Sequence, residues 1–68
     1  MDAATLEMVL TAYDETVQDA LAAGRGDGVA HAEGLTAAAM LLAAVTGVED
    51  SAARAEVEAL DPRQRLAA

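Results

Sequence analysis

Apolar positions recur at three- and four-residue spacing over the first third of the chain. Leu6, Val9, Leu10, Tyr13, Val17, Ala20 and Leu21 fall on one helical face about 120° wide when placed at about 100° per residue. Glu7, Asp14, Glu15, Gln18 and Asp19 lie outside that face. The spacing predicts an amphipathic helix over 3–23. Asp2 or Thr5 can cap its start by accepting an amide hydrogen bond. Gly24 can end it, because a residue without Cβ takes positive φ freely.

The pattern changes after the short turn Gly24-Arg25-Gly26-Asp27-Gly28, whose length normally joins antiparallel helices. A second helix is expected over 29–46, with Asp27 as its N-cap and Gly47 at its end. His31, Leu35, Ala38, Leu42 and Val45 make one stripe, with Leu41 at the margin. The opposite side holds Val29, Thr36, Met40 and Ala44, with Glu33 the only charge there. A helix apolar nearly all round is buried on more than one face. Ala30, Gly34 and Ala38 form a row of small residues that lets another helix cross closely.

A third helix over 51–60 has a thin stripe, Ala53, Val57 and Leu60, and begins behind Asp50 or Ser51. Asp50 and Arg54 stand at the spacing of an acid-to-base pair on one helix. Asp61-Pro62 stops it, because a residue before proline avoids the right-handed helical region. The same pair can start a last turn over 62–67, with Asp61 as N-cap and Pro62 in first position; Arg63 to Ala68 reads as a short helix or a frayed tail. The fold class is therefore all-α: a helical hairpin plus a third, shorter helix. This three-helix module forms one small domain over 1–68 and is expected to assemble into a dimeric helical bundle.

Composition supplies the reason for expecting a partner. Sixty-eight residues bury only about 60% of their unfolded surface, and small domains usually need a disulfide, a metal or a second subunit. Cysteine is absent and there is a single histidine, so disulfides and thiolate or multi-histidine metal sites are excluded. Nineteen residues are alanine, and Tyr13 is the only aromatic. Alanine favours helix and close approach but buries little area. A second copy of the chain is the expected staple, with Val29, Gly34, Ala37, Met40, Leu41 and Ala44 as the interface.

Charge narrows the partner classes. Twelve acids against four arginines, with no lysine, leave a net charge of −8. Phosphate binding needs clustered cations, so nucleic acid is not expected as a partner, and an anionic membrane surface is disfavoured likewise. The N-terminus lacks the basic and apolar regions of a signal peptide. The longest uncharged run, from Gly34 to Val48, is fifteen residues. As a helix it spans about 22 Å, short of a hydrocarbon core of about 30 Å. The expectation is a cytoplasmic protein. The absence of lysine, asparagine, isoleucine and phenylalanine fits a GC-rich coding sequence and a bacterial or phage source.

Little in the chain carries chemistry. His31 and Glu33 are two apart and do not share a helix face, so they are not a metal pair. The glycines before the second helix could bare amides to an anion, with Arg25 beside them, but the lysine and hydroxyl of a phosphate loop are missing. Arg25 and His31 are thus a candidate polar site, more simply read as a turn residue and a hydrogen-bonded histidine. Ser51 at a helix start resembles the attachment serine of acyl-carrier proteins, but the long preceding loop of that family is lacking. Leu66-Ala67-Ala68 resembles the end of the bacterial tmRNA-encoded degradation tag over those three positions only. No catalytic residue, metal ligand or cofactor site is expected. The reading is a non-enzymatic, homo-oligomeric interaction module, an adaptor or regulator. The alternative is a small acidic, phage-type inhibitor or nucleic-acid mimic that binds a basic protein surface.

Overall fold

The computed structural model describes residues 1–67; Ala68 lies outside the described residues. Four helices follow one another, α1 (Ala3–Ala22), α2 (Asp27–Thr46), α3 (Asp50–Leu60) and α4 (Pro62–Ala67), with no strand among the described residues. The fold is all-α, as the periodicity predicts. α1 and α2 form the hairpin, α3 packs on α2, and α4 touches α1 and α3.

Each boundary has a local cause. Asp2 caps α1, its carboxylate accepting the Thr5 backbone N–H at 2.7 Å. That bond holds the Asp2 carboxyl below the usual aspartate range, since the charged form is the better acceptor. Gly24 (φ +87°) and Gly47 (φ +77°) supply the left-handed conformations that close α1 and α2. Asp61 joins two helices with φ +50°. Its N–H donates to the Glu58 carbonyl, and its own carbonyl accepts the Gln64 and Arg65 N–H groups that open α4. The tail turn after Pro62 is a helix, not frayed.

Two helix starts differ from expectation. α2 begins at Asp27 behind Gly26, whose carbonyl accepts the Ala30 N–H. Asp27 is therefore inside the helix, where its charge still complements the positive helix end. α3 begins at Asp50 behind Glu49, without a side-chain cap.

The core is Val9, Tyr13, Leu35, Ala38, Ala39, Leu42, Ala53 and Val57. The buried face of α1 is rotated from the expected stripe: Thr5, Val9, Tyr13 and Ala20 are buried, while Leu6 and Leu10 are half-buried and Leu21 is exposed. The reason lies on α2. Ala30, Gly34 and Ala38 are all buried at the crossing, and a Cβ on Gly34 would stand 2.7 Å from Val17 Cγ2 and 2.8 Å from Tyr13 Cδ1. The bulky edge of α1 fills the space that small residues on α2 leave open. Val45, in the last turn of α2, is exposed and outside the stripe that packs.

The Cα framework measures 33 × 24 × 16 Å. With helices about 10 Å across, its short dimension allows two layers at most, too few to enclose α2. That helix is also long and apolar enough to cross a membrane by length and composition, with a third of its most apolar window buried inside the protein. The span is longer than the uncharged run from Gly34 because the helix starts seven residues earlier and includes Asp27 and Glu33. The buried third is the core itself.

Candidate functional site

The outer face of α2 carries most of the residues expected to meet a partner. Val29 is 53% exposed and Met40 67%, the most exposed of the large apolar side chains. Ala44 is exposed, and Ala37 and Leu41 are half-buried at the edge of this face. Gly34 departs from the set: it is buried against Tyr13 and Val17 within the same chain, where its lack of a side chain is already used.

α1 completes the face. A shallow groove between the two long helices is lined by Ala4, Met8, Ala12 and Leu41, with Glu7, Thr11 and Glu15 at its rim. A second lies beside Met40, between α2 and the start of α3, lined by Thr36, Ala39, Asp50, Ser51 and Arg54. Met8, 42% exposed, escaped the stripe reading because it sits on the polar side of α1. The row Ala4, Met8, Ala12 at four-residue spacing was its visible signal. From Gly34 to Thr46 α2 has no charge, and Glu33, paired with Arg25, is the one ionised residue of α2 beside the Met40 ridge.

The polar candidates separate. The Tyr13 hydroxyl and His31 Nδ1 are 2.7 Å apart, with the rings edge to face at 5.6 Å between centroids. Tyr13 is 4% exposed, so its hydroxyl finds in His31 the partner a buried phenol needs. His31 Nδ1 accepts from the hydroxyl in the Nε2–H tautomer and donates to it in the Nδ1–H tautomer. His31 lies in the second turn of α2, beyond the first turn in which the helix dipole acts most strongly. Arg25 pairs instead with Glu33 at 3.0 Å, both side chains well exposed; such pairs contribute little. Arg25 and His31 therefore have different partners and form no common site.

Arg54 also chooses otherwise than expected. It pairs with Glu58 at 2.8 Å and donates to Thr36 Oγ1 at 3.1 Å, tying α3 to α2. Arg63 reaches the Asp27 carbonyl at 3.5 Å, and Arg65 donates to the Leu60 carbonyl at 2.8 Å. All four arginines thus have partners within the chain. α1 carries Glu7, Asp14, Glu15 and Asp19 and no basic residue. Among the described residues no three histidine, aspartate or glutamate side chains converge as a metal site would require.

No protein-family model, curated protein or solved structure matches this chain.

Proposed function

We propose that the chain is a non-enzymatic helical interaction module that pairs with a second copy of itself through the outer face of α2, as an adaptor or regulator. The carrying observation is the apolar ridge of Met40, 67% exposed, beside the Met8–Leu41 groove. Two hairpins set face to face make a four-helix bundle. They would cover the layer that 68 residues leave open, and removing that apolar surface from water is the main favourable term in association. Light scattering on a sizing column tests this: the expected mass is twice 6.9 kDa. Met40→Glu should convert the dimer to a folded monomer, since it buries a charge without a partner. A wild-type chain that is monomeric and fully helical at tens of micromolar overturns the reading.

A second reading is favoured by the charge distribution. With every arginine engaged internally and the four carboxylates on α1 without an ion-pair partner among the described residues, the acidic surface suits a basic protein partner, as an inhibitor or nucleic-acid mimic would use it. Its mark is binding that weakens steeply with salt.

A further inference from the structure

We infer that the groove between α1 and α4 is a docking site for a basic amphipathic helix of another protein. This rests on the second reading above and gives it a place on the molecule. The groove has an apolar floor of Leu6, Leu10 and Leu66, and Glu7 and Asp14 stand at its side. Leu6 and Leu10 are the half-buried residues that α1 does not turn toward α2. Leu66 is 46% exposed. It is held there by a built support: Pro62 is fully buried, Arg65 is bonded to the Leu60 carbonyl and Arg63 to the Asp27 carbonyl.

The chemistry of the occupant follows from floor and rim. Apolar side chains at helical spacing suit the leucines, because Leu6 to Asp14 covers about 12 Å, two turns of helix. Lysine or arginine on the flanks suits Glu7 and Asp14, neither of which has an ion-pair partner among the described residues. A second copy is the poorer occupant: it brings another net −8 and an α1 with the same four carboxylates. The groove and the Met8–Leu41 groove flank one shared ridge of α1, Glu7 and Thr11.

The test uses the full chain and a synthetic helix of leucines at helical spacing with lysine elsewhere, about 14 residues long. A lysine–serine peptide of equal charge is the control. Calorimetry should show binding of the amphipathic peptide only, weakening about tenfold from low to moderate salt. Amide shifts should gather at Ala3, Leu6, Leu10 and Leu66. Leu66→Ser should weaken binding about tenfold. Glu7→Gln with Asp14→Asn should weaken it about fivefold. The same charge change by Glu49→Gln with Glu56→Gln, at the start of and within α3 and outside the groove lining, should leave it within about twofold. Both charge pairs change helix propensity little, since asparagine ranks near aspartate and glutamine near glutamate, so they carry the test if Leu66→Ser unfolds the chain.

Equal binding of the two peptides, or equal loss in the two charge variants, overturns the groove and leaves only net charge at work. Salt-sensitive binding that ignores Leu66→Ser removes the site but keeps the second reading. No binding at low salt removes both. A dimer that Leu66→Ser dissociates would give the groove to a second copy and overturn the proposal.

Discussion

The inner and outer faces of α2 are made of nearly the same residues and have opposite fates. Inside lie Ala30, Gly34, Leu35, Ala38, Ala39 and Leu42, all buried; outside lie Val29, Ala32, Thr36, Met40 and Ala44, all exposed. Hydrophobicity does not separate the two sets. Size does at the crossing, where alanine and glycine admit Tyr13 and Val17, whereas Val29 and Met40 stand too far out for any element of this chain to reach. A helix of this kind is sided by what packs on it, not by its own pattern.

The comparison breaks most easily at Leu42, which is fully buried. Leu42→Ala should cost about 3 kcal/mol, much of the stability a core of this size supplies. Circular dichroism should show a chain largely unfolded on mild warming. Met40→Ala, two positions away on the outer face, should shift monomer stability by less than about 0.5 kcal/mol. Equal effects would mean that the two faces are not distinct.

Gly34→Ala is next. The added methyl meets Val17 and Tyr13 inside normal contact distance, which costs about 1–3 kcal/mol in a packed core. Better helix propensity returns about 1 kcal/mol. The net expectation is a destabilisation of about 1 kcal/mol, read from chemical denaturation. A stabilised variant would show that the crossing is loose and α1 free to slide.

Tyr13→Phe keeps the ring and removes the hydroxyl from His31. It should cost about 1 kcal/mol, and a cycle with His31→Ala should show the two losses to be non-additive. Additive losses would reduce the Tyr13–His31 bond to mere proximity.

The smallest effect is at the first turn of α1. Folding lowers the Asp2 carboxyl's pKa because the charged form accepts the Thr5 N–H. Its contribution is present above the unfolded pKa and is lost as pH falls through the folded value, in the range below about 4. Acid titration of the wild type should show the N-terminal amides fraying in that window. Asp2→Asn, which still accepts but does not ionise, should remove that step.

How much was legible differs by element. The helix expected over 3–23 ends one residue earlier, at Ala22, and the tail left open after Pro62 is helical over 62–67, while the ends at Gly24, Gly47 and Asp61 followed from residues whose backbone preferences are local. The start of α2 was missed by two residues because Gly26 gives no side-chain signal of a cap. Five of the six expected interface residues lie on or beside the outer face; Gly34 does not, because a glycine row serves an inner crossing as well as an outer one. Arg54 took Glu58 over Asp50, a choice between two carboxylates at the same spacing that only the place of Thr36 resolves.

What the sequence determined by itself is a set of three helices, an optional tail turn and their stops, since capping, glycine conformation and proline act within a few residues. The tertiary structure decided which side of α2 faces inward, that Tyr13 meets His31, and that Leu66 comes to rest beside Leu6 and Leu10. Those contacts join residues at least seventeen positions apart, Val17 and Gly34 being the nearest. They depend on how bulky and small surfaces interlock, and an alanine-rich helix, nearly uniform around its axis, does not specify that in advance.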